Sequence, residues 1–325
     1  MDRVVVVTGA SAGVGRATAH AFARAGDRVG LIARDDGALQ DTRHEIERMG
    51  GVALAVAADV SDPDAVEAAA AAIEAGLGPI GVWVNNAMVT VFGPFERMTA
   101  AEFRRVTEVT YLGYVYGTMA ALKRMKRRGG AIVQVGSALA YRSIPLQSAY
   151  CGAKSAIRGF TDSLRSELLH DGSPVRLTMV QLPAVNTPQF DWARDLMGRL
   201  PRPVAPVYRP EAIADAIVWA ADAGRREVWL GRMTVAAILA TRLVPGLLDR
   251  YLARTNYSAQ QRPAPVPPTR PDNLFAPVGP AHRTNGPFTA EARGTIWQFA
   301  LSRHRGALAL GAAAALAGAW ALRRR

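Results

Sequence analysis

The feature that most constrains the fold is a short β-branched run that leads directly into a glycine-rich loop. Residues 4–7 are four valines that read as a buried strand, and glycines follow at positions 9, 13 and 15. The next residues, Arg16 to Ala25, have helical composition. A strand, a glycine turn and a helix together place backbone N–H groups and a helix N-terminus around an anion. The loop therefore predicts a site that binds a pyrophosphate.

Strand-like and helix-like segments continue to alternate to about residue 232, as in repeated βαβ units. Helices are predicted at 64–75, 100–126 and 149–170. Strands are predicted to begin near Arg3, Arg28, Val52, Ile80, Ala131, Val175 and Glu227. The predicted fold class is α/β, a doubly wound, seven-stranded parallel sheet (Rossmann fold) with right-handed crossovers and a helical C-terminal extension.

Ligands of such sheets bind where the strands end at their carboxyl termini. Several candidate functional residues are predicted at these ends: Gly9, Arg34, Asp59, Asn86, Ser137 and Pro183.

Tyr150 and Lys154 form a second pattern that carries chemistry. Their i, i+4 spacing puts both side chains on one face of a helix. A tyrosine hydroxyl titrates near about 10, and a neighbouring cation favours the phenolate, so we expect Lys154 to lower the pKa of Tyr150. Such a phenol can exchange a proton with a carbonyl or alcohol oxygen while hydride moves at the attached carbon.

Together and in this order, the two motifs resemble those of the short-chain dehydrogenase/reductase family. Asp59-Val60 follows the third predicted strand, and Asn85-Asn86-Ala87 follows the fourth. Ser137 ends the fifth strand, thirteen residues before Tyr150. The segment from Leu182 to Pro188 is similar to the family's Pro-Gly-x-x-x-Thr segment. The resemblance covers roughly residues 1 to 232.

Three positions depart from the family pattern. Met88 and Ala184 stand where the family has glycines, and Thr110 stands where it has an asparagine that helps a water link the lysine to solvent. A threonine hydroxyl can still bond water, so we expect activity to survive with an altered proton relay.

The resemblance implies a role for each matched residue. Ser137 would bond the substrate oxygen, Tyr150 would be the general acid or base, and Lys154 would also bond the nicotinamide ribose. The resemblance implies that the cofactor is bound by Gly9, Ser11, Gly13, Val14, Gly15, Arg34, Asp59, Val60, Asn86, Ala87, Tyr150, Lys154, Pro183 and Thr187.

The end of the second strand indicates which dinucleotide is bound. An acid there bonds the ribose 2′-hydroxyl of NAD, whereas an arginine accommodates the 2′-phosphate of NADP. Ala33 occupies the usual place of the acid and Arg34 follows, which favours NADP because a guanidinium fork suits a phosphate. Asp35 and Asp36 directly follow Arg34 and could serve as the acid that NAD requires, which weakens the indication. NAD therefore remains the less favoured alternative.

Composition and charge narrow the partners and the cellular compartment that we expect for this protein. The net charge is +12, and residues 256–325 hold nine arginines and two acidic residues, so much of the basicity lies in the tail. No nucleic-acid-binding module appears, and the five scattered histidines lack ligand spacing, so we predict neither a nucleic acid partner nor a metal. With one cysteine and no room for a secretory signal before the first strand, we expect a cytoplasmic protein. The family resemblance also implies a homo-oligomer.

Four regions are predicted. Residues 1–232 form the NADP-binding catalytic domain, and 233–257 form an apolar extension of two helices joined at Pro245-Gly246. Residues 258–295 are rich in proline and read as an extended linker. Residues 296–325 contain seventeen uncharged residues, 306–322, between arginine clusters. A helix of that length spans about 25 Å, and we interpret it as a C-terminal membrane anchor that tethers the protein, over a soluble or partner-binding helix.

The sequence thus predicts an NADP(H)-dependent oxidoreductase that interconverts a carbonyl and an alcohol on a small, hydrophobic substrate. The family resemblance implies that the region after Thr187 forms a substrate lid. Its apolar residues, such as Phe190 and Trp192, are expected to line an apolar pocket or to pack the lid on the body. The alternative is a catalytically silent protein of the same fold that acts as a cofactor-binding regulator or a membrane scaffold.

Overall fold

The predicted fold class is confirmed by a computed structural model, which describes residues 2–279, 282–304 and 306. Within these residues, seven parallel strands form one sheet in the order β7-β6-β5-β4-β1-β2-β3. The strands are β1 (Val4–Thr8), β2 (Arg28–Ala33), β3 (Ala53–Ala57), β4 (Ile80–Asn85), β5 (Gly130–Ser137), β6 (Val175–Leu182) and β7 (Glu227–Trp229).

Helices cover both faces of the sheet, so its strands are apolar on both sides. Val5 and Val7 of β1 face a core that contains Phe22, whereas Val4 and Val6 face a second core that contains Ile73 and Trp83. The helices are α1 (Gly13–Arg24), α2 (Asp36–Arg48), α3 (Pro63–Leu77), α4 (Ala100–Thr107), α5 (Gly113–Met125), α6 (Ser148–His170), α7 (Gln189–Trp192), α8 (Pro210–Ala223), α9 (Arg232–Leu243), α10 (Pro245–Ala259) and α11 (Trp297–Arg303).

The helix predicted at 100–126 is divided by a π-helical turn. This turn, Glu108–Leu112, lies between α4 and α5 without a break in the chain's helical course. A π-helical turn inserts one extra residue, which rotates the following helix relative to the preceding one. The side chains of α5 are therefore aimed differently from those of a continuous α-helix.

A buried polar network holds α5 on the sheet. The Asn85 side-chain amide donates to Thr118 Oγ1 at 3.0 Å and to Gln134 Oε1 at 2.9 Å, and its oxygen accepts from Trp83 Nε1 at 2.8 Å. Gln134 in turn donates to Thr118 Oγ1. These side chains are almost fully buried, so each bond compensates for lost hydration.

Part of the segment predicted as a linker is an extended strand, and its described residues pack against the body of the protein. Gln261–Pro265 pairs antiparallel with Arg199–Pro201, and Leu274 is fully buried. Before it, α9 and α10 are the two helices expected in the apolar extension, and α10 begins at Pro245. The bounds of the four predicted regions stay a prediction.

Among the helices in the described ranges, none is both long and apolar enough to cross a membrane. The anchor predicted over 306–322 lies outside these ranges, except for Gly306. The helix α11, which precedes it, spans seven residues.

Two glycines in helices provide a test of the packing between α5 and the sheet. A Cβ at Gly117 would lie 2.2 Å from Asn85 Oδ1 and 2.8 Å from Trp83 Nε1, whereas a Cβ at Gly159 in α6 would meet nothing within 4 Å. We expect Gly117→Ala to lower the free energy of unfolding by about 1–3 kcal/mol. Gly159→Ala should leave it unchanged or raise it by up to about 1 kcal/mol through helix propensity. Denaturant unfolding of both variants measures this difference, and equal stabilities would contradict the described packing.

Candidate active site

The carboxyl ends of the strands open into a cavity of about 610 Å³. Its wall includes every residue that the sequence assigned to catalysis or to the cofactor except Gly15. Gly15 lies behind the wall, where a Cβ would be 2.0 Å from Gly9 O. The chain thus brings together side chains that are spread over nearly two hundred residues.

The glycine loop is a close-packed cradle. Gly9 and Gly13 have positive φ angles of 69° and 56°, which favour glycine. A Cβ at Gly9 would lie 2.8 Å from Ala87 Cα, and one at Gly13 would lie 3.1 Å from Thr187 Cγ2. Side chains at these positions would push the loop away from the strand ends, so the cradle fits a ligand that must approach the backbone, such as a dinucleotide pyrophosphate.

Thr8 ties the glycine loop to the end of β4, and the sequence reasoning did not single it out as a site residue. Its Oγ1 accepts hydrogen bonds from Asn86 N at 2.9 Å and Ala87 N at 3.1 Å. The Asn86 side chain returns a bond to Thr8 O at 3.0 Å. In this structure Asn86 therefore holds the loop in place. The sequence feature that could have identified Thr8 is its position at the end of the first strand, just before Gly9.

Ser137 ends β5, and Tyr150 and Lys154 lie in the first two turns of α6, so all three line the same cavity. Burial raises the pKa of the Tyr150 phenol well above its ordinary value, and a hydrogen bond with the Ser137 hydroxyl offsets part of the rise. The phenol therefore holds its proton at neutral pH.

The expected lowering of the Tyr150 pKa by Lys154 is not found. Lys154 Nζ lies 5.6 Å from the centroid of the Tyr150 ring, and it donates to Tyr114 Oη at 2.9 Å and to Val135 O at 2.7 Å. Burial lowers the pKa of Lys154 to about 7. Desolvation, which local spacing does not reveal, thus outweighs the charge effect predicted from the motif.

Tyr114 is a second residue that the sequence reasoning missed. It lies in α5, one turn beyond Thr110, and contacts Lys154 directly. Thr110 itself is fully buried, and its hydroxyl donates to Val89 O at 2.8 Å and accepts from Val89 N at 3.1 Å. The threonine hydroxyl is therefore occupied by the backbone after β4.

Arg34 lies at the predicted place, at the end of β2, and its guanidinium binds the C-terminal segment (residues 270–279 and 282–288). Nη2 donates to Asn273 O at 2.5 Å and Nη1 to Leu274 O at 3.4 Å. Asp59 bonds to Arg105, and although burial opposes its charged form, the bonds from Arg105 and Ser61 hold its pKa below the ordinary value. A basic side chain and peptide carbonyls thus meet at this end of the cleft.

The same C-terminal segment reaches the glycine loop. Gly13 N donates to Arg283 O at 3.0 Å, and Arg16 Nη1 donates to His282 O at 3.1 Å. The His282 ring lies 5.4 Å from the ring of Trp192 in α7. Asn273, Pro277 and His282 line the cavity, so residues well beyond the predicted catalytic domain complete its wall.

Replacement of Leu274 tests how this segment is held. Leu274 is fully buried and the adjacent Phe275 is 59% exposed. We expect Leu274→Ala to lower the free energy of unfolding by about 2–5 kcal/mol, because packing is lost. Amide hydrogen exchange over residues 270–279 should increase. Phe275→Ala is the matched control and should change stability by no more than about 0.5 kcal/mol. Equal exchange in the two variants would show that Leu274 does not anchor the segment.

Comparison with known proteins agrees with this geometry. The "short chain dehydrogenase" family model matches residues 3–195. The chain is 34% identical to the uncharacterized oxidoreductase YxnA of Bacillus subtilis over 277 residues. The aligned region covers 84% of this chain and 78% of that protein. The chain is also 32% identical over 223 residues to 3-dehydrosphinganine reductase of Danio rerio, covering 66% of this chain and 67% of the relative.

Other matches extend the comparison. The probable oxidoreductase EphD of Mycobacterium tuberculosis is 38% identical over 235 residues, which span 67% of this chain and 39% of that protein. The alcohol dehydrogenase of the archaeon Thermococcus sibiricus, solved in complex with 5-hydroxy-NADP, superposes with a TM-score of 0.60 at 27% identity and covers 71% of this chain and 96% of that one. The family resemblance of the motifs is confirmed: the chain belongs to the short-chain dehydrogenase family.

Proposed function

We propose that the protein is an NADP(H)-dependent oxidoreductase that interconverts a carbonyl and an alcohol on a hydrophobic substrate. The observation that carries the proposal is that Ser137, Tyr150 and Lys154 line one cavity with the glycine loop. An acid–base group and a dinucleotide cradle on the same cavity wall are what hydride transfer coupled to proton transfer requires.

The residues present fit a nicotinamide dinucleotide. The glycine loop and the N-terminus of α1 suit the pyrophosphate, and Arg34 suits a 2′-phosphate. Asp59 and Val60 would hold the adenine, and Lys154 would bond the nicotinamide ribose. Asn86, Ala87, Pro183 and Thr187 would surround the ribose and nicotinamide. When bound, the nicotinamide ring accepts or supplies the hydride.

NADP is favoured over NAD by the side chains at the end of β2. Arg34 lines the cavity, and Ala33 leaves no carboxylate at the position before it. The solved relative from Thermococcus sibiricus is complexed with an NADP derivative. A 2′-phosphate would take the place of the carbonyls of Asn273 and Leu274 as the acceptor for Arg34.

The protonation state of Tyr150 is the one that carbonyl reduction needs. Its phenol keeps its proton at neutral pH, as an unperturbed tyrosine does, and the rise in its pKa makes it a weaker donor, so the Ser137 hydrogen bond that offsets part of the rise would assist proton transfer to a substrate oxygen. The Ser137 hydroxyl, at the end of β5, would hydrogen-bond the same oxygen. Oxidation of an alcohol requires Tyr150 to act as base, which needs stabilisation of the phenolate beyond what these contacts provide.

The rest of the cavity wall supports an apolar substrate. It is formed largely by aliphatic and aromatic side chains from the segments after β4 and β5, the lid and the two helices of the extension: Phe92, Leu139, Ile144, Phe190, Val204, Met233, Leu248 and Leu252. Walls of this kind favour hydrophobic ligands and leave orientation to a few polar groups. The Danio rerio relative is named as a reductase of 3-dehydrosphinganine, which is consistent with reduction of a ketone.

Removal of the phenol oxygen tests the catalytic role. Tyr150→Phe should lower kcat with NADPH and a panel of apolar ketones and aldehydes by at least about a hundredfold, because the proton donor is lost. Binding of NADPH, followed by fluorescence, should be retained. Tyr116→Phe in α5 is the control and should keep normal turnover. Appreciable activity in the Tyr150 variant would disprove the assignment.

Replacement of Arg34 tests the cofactor preference. Arg34→Asp removes the partner of the 2′-phosphate and adds a carboxylate that suits a 2′-hydroxyl. We expect the ratio of kcat/KM for NADPH over NADH to fall by about tenfold or more, since a charge-assisted bond is lost. Arg43→Asp, on the surface of α2, should leave the ratio unchanged. An unchanged ratio in the Arg34 variant would overturn the NADP assignment.

A further inference from the structure

Lys154 is an ionisable side chain that is almost completely buried from water. Its side chain is 2% exposed, and burial lowers its pKa to about 7. An ammonium group taken out of water is stable only where other groups replace its hydration. The hydrogen bonds that hold Lys154 Nζ therefore decide both its position and its charge.

Two oxygen atoms accept hydrogen bonds from the ammonium. Lys154 Nζ donates to Tyr114 Oη at 2.9 Å and to Val135 O at 2.7 Å, and Tyr114 Oη donates to Val135 O at 2.9 Å. The three groups form a closed triangle between α5, α6 and β5. Nζ also lies 4.6 Å from the centroid of the Tyr114 ring, within range of a cation–π contact.

In the described part of the chain, the titratable side chains found against Nζ are two tyrosines. Tyr114 comes from α5, Tyr150 lies in α6 with the lysine, and the strand β5 contributes the Val135 carbonyl. Burial raises the pKa of Tyr114 well above its ordinary value. Tyr114 therefore stays a neutral phenol that can accept from the ammonium and donate to the carbonyl at the same time.

A π-helical turn directly precedes the part of α5 that carries Tyr114. Thr110 lies within that turn, and its hydroxyl is bonded to both backbone groups of Val89. The family's asparagine would stand at this position, and the threonine hydroxyl does not contact Lys154. The helix resumes at Gly113, and Tyr114 is the next residue along it.

We propose that Tyr114 is a positioning residue that holds the Lys154 ammonium in the active site, in place of a polar residue at position 110. The placement of the lysine follows from the contacts themselves, and its consequence for turnover rests on the proposed function. Loss of the phenol oxygen leaves Val135 O as the remaining acceptor in the triangle. The charged amine then loses stabilisation, so its pKa falls.

The chain makes this measurable because it contains three lysines, Lys123, Lys126 and Lys154. Lys123 and Lys126 are 68% and 55% exposed. In protein labelled with ¹³C at the lysine ε-carbon, an NMR titration resolves Lys154, with Lys123→Arg and Lys126→Arg used for assignment. Tyr114→Phe, which keeps the ring, should lower the pKa of Lys154 by about one unit, a tenfold change in protonation.

Tyr111→Phe is the matched control, because Tyr111 packs against the same small cluster, whereas the hydrogen bonds and ring contacts of Lys154 Nζ involve Tyr114, Tyr150 and Val135. It should leave the pKa of Lys154 at the wild-type value. Tyr114→Met is a second variant that fills the site without an oxygen acceptor and should lower the pKa in the same direction. Thermal unfolding of all variants establishes that each is folded at the temperature of the titration.

The activity arm uses the pH dependence of kcat/KM. If Tyr114 positions Lys154, the limb that reports loss of the lysine proton moves to lower pH by the shift seen in the NMR titration. If Tyr114 had a purely structural role, its replacement would lower the unfolding temperature. The pKa of Lys154 in the NMR titration and the pKa seen in the pH dependence of kcat/KM would both stay unchanged. An unchanged Lys154 pKa in folded Tyr114→Phe would overturn the inference. If the wild type shows no turnover, only the proposed function is disproved. The NMR titration still tests the role of Tyr114, because it measures the pKa of Lys154 without any need for activity.

Discussion

The parallel alignment of the sheet is the constraint on which the rest of the molecule depends. β1 pairs with β2 on one side and with β4 on the other, so the loops after these strands open at the same edge. The bond from Asn86 N to Thr8 Oγ1 then joins two of those loops directly. A cradle for an anion and a wall of polar side chains arise at this edge because the backbone pairing places them there.

Burial sets the chemistry at this edge. The same low-polarity surroundings raise the pKa of Tyr150 and lower that of Lys154, so both groups shift toward their neutral forms. A neutral phenol keeps a proton that can be donated, while the lysine needs bonded oxygens to carry charge. The network around Asn85 fixes α5 on the sheet, and α5 in turn supplies the tyrosine beside the lysine. Stability and site geometry therefore depend on the same helix.

The C-terminal segment contacts the cleft at two neighbouring places. Its carbonyls accept from Arg34 near the end of β2 and from Gly13 at the start of α1. Phe288 N also donates to Asn186 Oδ1, beside the segment expected to hold the nicotinamide. Residues that read as a linker in composition are thus part of the wall, since Leu274 has a buried site to fill. Composition reports the tendency to be extended and does not reveal such a site.

The sequence by itself determined the alternation of strands and helices, the glycine cradle and the spacing of Ser137, Tyr150 and Lys154. These are local properties, because periodicity and short spacings are written in neighbouring residues. Only the tertiary structure decided the partners of Lys154 and Arg34. Tyr114 lies 40 positions from the lysine, and Leu274 lies 240 positions from the arginine. Contacts over such distances, and the desolvation that they cause, depend on how the whole chain packs and not on any local pattern.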